Sequence, residues 1–130
     1  MHYMSDPLER PQVVLVSRCA VQDNENKLLL IKRTKKANHN AGLWEFPGGK
    51  VDLGQVVELA QAREVFEETG LNIEPTSPSV FVGSRVIDDG PYAGMLYAIL
   101  CGAGRVKEGE LKLSEEHTAA EWLPYEKLLA

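Results

Sequence analysis

Residues Gly49 to Leu71 read GKVDLGQVVELAQAREVFEETGL. The second half of this stretch, Arg63-Glu64-Val65-Phe66-Glu67-Glu68-Thr69-Gly70-Leu71, predicts a helix that Gly70 ends as a left-handed cap. Glu64, Glu67 and Glu68 stand at i, i+3 and i+4, which puts their carboxylates on one helix face within reach of a common point. Carboxylates that close repel one another, and their pKa values rise unless a cation sits among them. Hard oxygen donors of this kind suit Mg²⁺, with Mn²⁺ as a substitute, and those ions suit phosphate chemistry. Just upstream, Pro47-Gly48-Gly49-Lys50 forms a glycine-rich turn where backbone can approach a phosphate. Glutamates at this spacing usually line a solvated helix face, so the glycine turn beside them is what sets the segment apart.

The same segment resembles the Nudix box, G-x5-E-x7-R-E-U-x-E-E-x-G-U, in which U is apolar. Gly49, Arg63, Glu64, Val65, Glu67, Glu68, Gly70 and Leu71 match it without a gap, and Gln55 stands where the pattern has its first glutamate. The lead-in Leu43-Trp44-Glu45-Phe46-Pro47-Gly48-Gly49 and the later stretch Glu115-Glu116-His117-x-x-x-Glu121-Trp122-Leu123-Pro124 fit the resemblance as well. It implies an α/β (α+β) architecture, the Nudix fold, with a mixed β-sheet sandwiched between α-helices. It also implies a hydrolase of phosphoanhydride bonds.

Composition sets the outer bounds. A chain of 130 residues is expected to form a single domain that buries its own core, with residues 1–12 as a loose, proline-punctuated arm. A formal net charge of −5 argues against broad, non-specific binding of DNA or RNA, which needs a basic field. Cys19 and Cys101 have no paired-ligand spacing, which indicates neither a zinc site nor a disulfide scaffold. They read as buried thiols in a reducing compartment, on strands that could be neighbours. No apolar run approaches a membrane span and no signal-peptide core precedes the first strand, so the expectation is a cytoplasmic protein.

Along the chain, Val13–Val21 and Lys27–Arg33 read as strands joined by the turn Asp23-Asn24-Glu25-Asn26, a hairpin. Thr34–Gly42, with Lys35, Lys36 and His39, reads as a loop, and Trp44–Phe46 as a short strand. The helix is predicted over Val56–Thr69 with a weakly specified start, since Val56 cannot cap. Its wheel places Leu59, Ala62 and Phe66 on one face and the three glutamates opposite. Val57 and Ala60 fall on the carboxylate side, as expected for a helix lying in a cleft. Ser79–Ile87 and Ala93–Cys101 read as strands about the turn Asp88-Asp89-Gly90-Pro91. Glu121–Leu123 reads as a short strand and Tyr125–Leu129 as a closing helix.

Roles follow from the residues and the resemblance together. Glu64, Glu67 and Glu68 are the expected metal ligands, with Gly48 contributing backbone, and one of the three could also orient the attacking water. Arg63, four residues before Glu67, is expected to pair with it and fix its rotamer. Gln55 keeps the length and acceptor oxygen of glutamate without the charge, so weaker ion pairing around the loop is expected. By the resemblance, a further acid outside the box serves as ligand or general base; Glu116 is the best match and Glu115 the competitor. His117 reads as bland. For the substrate, Arg33, Gly49, Lys50 and Phe46 are the expected contacts, and Tyr92 or Tyr97 could meet a base.

The sequence therefore predicts a Mg²⁺-dependent pyrophosphohydrolase of a nucleotide substrate. Its lead-in resembles MutT-type members, which convert nucleoside triphosphates, some of them oxidised, to monophosphate and pyrophosphate. Two subfamily marks are absent: the proline of ADP-ribose hydrolases, where Arg85-Val86-Ile87 stands, and the tyrosine of dinucleoside polyphosphate hydrolases, where Asp88 and Asp89 stand. A binding module without turnover is the rival class, and Gln55 is its one sign. Action on RNA 5′ ends is disfavoured by the acidic balance and by the lack of a basic, aromatic-studded groove in the sequence. A homodimer is compatible with this fold.

Overall fold

The computed structural model describes residues 13–37, 40–52 and 54–128. The N-terminal arm, His39 of the lysine loop and Leu129 of the closing helix lie outside the described residues. The elements are β1 (Val13–Gln22), β2 (Lys27–Arg33), β3 (Trp44–Glu45), β4 (Gly48–Lys50), α1 (Val57–Thr69), β5 (Asn72–Val86), β6 (Leu96–Glu108), β7 (His117–Pro124) and α2 (Tyr125–Leu128). They make a mixed α+β fold around one seven-stranded sheet, with the path β3-β2-β1-β6-β5 and with β4 on β1 and β7 on β2.

β1 and β6 run parallel from Val13 opposite Leu96 to Gln22 opposite Arg105. The predicted hairpin is present only at its closed end, where Gln22 faces Leu28. Beyond that point β1 takes β4 as its antiparallel neighbour while β2 takes β3 and β7. The glycine turn is thus itself a strand. Gly48 can be nothing else, because a Cβ there would lie 2.0 Å from the Ser17 carbonyl oxygen. Cys19 and Cys101 do sit on adjacent strands, with Cys101 opposite Arg18, and both thiols are free. Burial, with the nearby Cys101 adding to it, pushes the Cys19 thiol up to about 12.

β5 and β6 are far longer than the sequence predicts. Glu74-Pro75-Thr76-Ser77-Pro78 has the composition of a loop, yet it is carried along β6 with register shifts at Asn72/Ile73, Pro75/Ser77 and Ser77/Val80. Pairing with β6 supplies what local propensity does not.

α1 starts on Val56 with no side-chain cap and ends on Gly70 at φ 77°, whose N–H donates to the Phe66 carbonyl at 2.8 Å. Its buried side is Ala60, Gln61, Val65, Glu68 and Thr69. Leu59 and Phe66 are 69% and 49% exposed, so the apolar face drawn from the helical wheel is largely turned to solvent. The inward direction is set by the core cluster Cys19, Val21, Leu29, Ile31, Val65, Leu71 and Ile73. Gln61 is fully buried and donates to Ser17 Oγ at 2.9 Å and to the Arg18 carbonyl at 2.8 Å, tying the helix to β1. None of the described helices is long and apolar enough to cross a membrane.

Candidate active site

The carbonyls at the end of α1 need partners, since nothing further along the helix can donate to them. The segment before β7 supplies them: Lys112 N–H donates to the Thr69 carbonyl at 2.7 Å and Ser114 N–H to that of Glu68 at 3.0 Å. The helix end thereby fixes the following residues, Glu115, Glu116 and His117. The Thr34 N–H donates to the Glu116 carbonyl at 3.0 Å, which binds the lysine loop to the same place.

Glu68 points into the protein. It is 7% exposed, and its Oε1 accepts the Gly48 N–H at 2.8 Å. Burial raises its pKa to about 7, against the opposing pull of that N–H, of His117 and of Arg18. Glu64 lies under the next glycine: a Cβ on Gly49 would meet its carboxyl carbon at 2.7 Å. Burial first, then the charges of Glu67, Glu116 and Asp52, raises the Glu64 carboxyl, with Arg63 opposing. That coupling puts Glu116 in the electrostatic neighbourhood of Glu64, while Glu115 and Glu116 both keep exposed side chains. Glu67 is exposed and is held by Arg63 at 3.2 Å, as the i, i+4 spacing predicts. Arg63 also reaches Glu64 at 3.3 Å, and Gln55 Oε1 at 3.4 Å. The three carboxylates share a helix side but fan out, one to each glycine and one to solvent.

Gln55 keeps the acceptor function the sequence reading assigns to it. Its Oε1 takes the Asp52 N–H at 2.8 Å as well as the Arg63 guanidinium, so the loop ahead of α1 is closed without a charge at position 55. Gln55→Glu is therefore expected to preserve or raise activity by tightening the Arg63 contact, an exposed pair worth about 1 kcal/mol or less. A steady-state comparison of the two proteins checks this; a large loss would show that the neutral side chain has a role of its own.

Behind Glu68 stands a group that the sequence reading passed over. Glu45, of the short strand β3, is contacted by Arg18 at 3.5 Å, Arg33 at 3.5 Å and His117 Nε2 at 2.9 Å. Burial works to raise the Glu45 carboxyl, but the hydrogen bond from His117 and the two guanidiniums outweigh it and hold the pKa below the ordinary value. His117 is 4% exposed, and its Nε2 lies 3.9 Å from Glu68 Oε2, so it is part of the site rather than bland. Arg18 further donates to the carbonyls of Phe46 and Gly48, each at 3.3 Å, which fixes the glycine strand. Glu45 belongs to the quoted lead-in and His117 adjoins Glu116, but their meeting depends on β2 pairing with both β3 and β7.

Two donor sets could hold a cation. Glu45, Glu68 and His117 place ligand atoms within 4.8 Å of one another. Arg18 and Arg33 already neutralise Glu45, however, so that set has little charge left for a metal. Glu64, Glu67 and Glu68 offer oxygen donors alone, with two of the carboxyls raised in pKa, which is the chemistry that suits a hard divalent ion. Among the described residues, however, their oxygens do not gather within that same 4.8 Å, and an ion would have to draw them together.

Of the expected substrate contacts, Lys50 and Arg33 line separate hollows, and neither hollow is lined by Gly49 or Phe46. Lys50 lines one with Val14, Arg85, Asp88, Tyr92 and Tyr97. Its ammonium is hydrogen-bonded to the Tyr92 hydroxyl and lies 4.2 Å from the centre of that ring. Arg33 lines the other with Thr34, Lys36, Glu115 and Glu116. Phe46 is half-buried, on the stretch of chain between Arg33 and Lys50.

Comparison with known proteins bears on the family and the fold. The NUDIX domain family matches residues 13–130. A MutT-like protein of Streptomyces ambofaciens is 34% identical over 128 residues, covering 93% of this chain and 72% of that protein. The crystal structure of a MutT protein from Methanosarcina mazei superposes with a TM-score of 0.69 at 29% identity, covering 92% of this chain and 83% of that one. Shorter matches are to an 8-oxo-dGTP diphosphatase of Escherichia coli, 44% identical over 37% of each chain, and to an ADP-ribose pyrophosphatase of Methanocaldococcus jannaschii. The latter is 51% identical over 38% of this chain and 28% of that protein.

Proposed function

Since the chain belongs to the MutT-type Nudix family of phosphoanhydride hydrolases, we propose that it is a Mg²⁺-dependent pyrophosphohydrolase of a nucleoside diphosphate linked to another moiety. Nucleoside triphosphates, ordinary or oxidised, are the first class, cleaved to the monophosphate and pyrophosphate. The observation that carries this reading is Glu68: a buried box carboxyl that accepts the N–H of the glycine strand at 2.8 Å and is raised to about 7 by burial.

Glu64, Glu67 and Glu68, with the Gly48 carbonyl, would hold the ion. Bound there, such an ion would supply charge to offset that of the diphosphate and the transition state, and would acidify a water. The chain's own residues do the rest. Arg63 fixes the Glu67 rotamer and braces Glu64. Arg18 and the Glu68 carboxyl hold the Gly48–Gly49 backbone where a phosphate can approach. Arg33 and Lys50 offer cations to the phosphates on either side. Glu116, whose charge is felt at Glu64, would take the proton from the attacking water. The water oxygen bonds to phosphorus, and the bridging oxygen leaves with its electron pair on the departing phosphate. In the Lys50 hollow, Tyr92 and Tyr97 supply faces for the base.

The test is phosphate release coupled to inorganic pyrophosphatase, with Mg²⁺, across ordinary and oxidised nucleoside triphosphates. ADP-ribose and dinucleoside polyphosphates run alongside with a phosphatase coupling. Activity on a linked diphosphate with silence on triphosphates would move the substrate to another branch of the family. Nucleotide binding with no turnover on any substrate would overturn the enzyme reading in favour of a sensor.

A further inference from the structure

Strand register puts Val14, Val16 and Arg18 of β1 on one face of the sheet; Ser17 and Cys19, on the other, meet α1 and its Val65. Tyr97 opposite Val14, Lys50 opposite Val16 and Arg85 opposite Tyr97 share the face turned from α1. The same alternation, carried through Gln22 and Leu28 to β2, places Lys32 and its cross-strand partner Trp44 there too. Three cation–ring pairs therefore lie on one face: Lys50–Tyr92 at 4.2 Å, Arg85–Tyr97 at 5.6 Å and Lys32–Trp44 at 6.0 Å.

They form two stations. Tyr92 and Tyr97 with Lys50 and Arg85 make the first, the hollow already assigned to the base. Trp44, 43% exposed, makes the second with Lys32, whose hollow is also lined by Lys35 and Lys36. Trp44 and Lys50 are six residues apart on one short segment with Gly48 between them, so they are separated by no more than about 20 Å of extended chain. A ring with cations beside it is the chemistry that takes a base and its phosphate. Two such stations on either side of the glycine strand suit a ligand with a ring at both ends and phosphates in the middle.

We propose that Trp44, with Lys32, Lys35 and Lys36, is a specificity-determining station for the far end of a substrate with a ring at both ends, so that the chain accepts a dinucleoside polyphosphate as well as a nucleoside triphosphate. This rests on the reading of the Gly48 strand and Glu68 as the hydrolytic centre. Trp44 lies outside that centre, at the edge strand β3.

Turnover of diadenosine tetraphosphate and of ATP is compared for the wild-type protein, W44A and W44F, with melting temperatures as the folding control. W44A should lower kcat/KM for the tetraphosphate about tenfold through KM and leave ATP within about twofold, and W44F should restore most of the loss. Equal losses on both substrates, or no loss on either, would overturn the station. A second measurement needs no turnover. In the E68Q protein, a methylene-bridged diadenosine tetraphosphate should quench tryptophan emission saturably where the matching ATP analogue does not, and W44F should abolish that difference. Quenching without turnover in the wild type would retain the station and sink the hydrolytic reading. No difference between the two analogues would sink the station whatever the activity.

Discussion

Glu68→Gln should lower turnover by about 10²–10⁴-fold while the protein stays folded. The size of the loss follows from position: Glu68 is the one box carboxylate that is buried against the Gly48 N–H, and glutamine can keep that hydrogen bond but cannot supply charge to a cation. The intact fold does not follow from surface exposure, because the side chain is only 7% exposed. It follows from the raised pKa. Burial already favours the uncharged acid in the absence of metal, and glutamine is close in shape to that acid. The variant should therefore match or exceed the wild-type protein in chelator-containing urea unfolding at pH 8. Near wild-type turnover in a purified, folded Glu68→Gln protein would remove Glu68 from the metal site. A loss of activity accompanied by collapse of stability would mean that the residue works as a structural acid instead.

Metal-free protein is expected to become less stable as pH rises from about 4.5 to about 7. The Glu68 carboxyl moves from an ordinary 4.5 in the unfolded chain to about 7 in the folded one, so the folded state holds its proton more tightly. Its contribution is favourable at low pH and is lost as pH climbs through that window, to a total of about 3 kcal/mol at about 1.4 kcal/mol per pH unit. Glu45 works in the opposite sense. Its pKa is held below the ordinary value, so its contribution is present above that value and fades as acid protonates it. Urea unfolding in EDTA should thus show a maximum on the acid side of neutrality, and Glu68→Gln should flatten the descending limb. Mg²⁺ should restore stability above pH 7 and bind less tightly below it, because the ion must displace the Glu68 proton. A descending limb of the same size in the glutamine variant would assign the linkage to another group.

Much of the site was legible in the chain because its parts are close in sequence. Glu64, Glu67, Glu68 and Arg63 lie within a few residues on one helix, and helical geometry alone fixes which of them meet, as the Arg63–Glu67 contact bears out. Gly70 ends that helix where a left-handed cap is needed, and Gln55 accepts the hydrogen bonds that its chain length and oxygen allow. Local composition failed where pairing decides. Residues 74–78 look like a loop and are strand, since β6 offers partners to Glu74, Pro75 and Ser77 and the register shifts absorb the residues between. Leu59 and Phe66 look like a packing face and are exposed, since the position of the sheet, not the wheel, chooses which side of α1 is inward.

The family and the mixed α+β architecture were legible in the sequence through the resemblance of residues 49–71 to the Nudix box, and the shared helix face of the three acids through short-range spacing, which physical chemistry converts directly into geometry. Only the tertiary structure decided how differently the three glutamates are placed, with Glu68 buried and raised while Glu67 stays in solvent. It alone also brought Arg18, Arg33, Glu45 and His117 behind Glu68, and set Trp44 and Tyr97 on one face. Those residues come from strands far apart in the chain. Their meeting depends on which strand pairs with which and in what register, and that is fixed by long-range pairing and burial of a common core rather than by any local pattern.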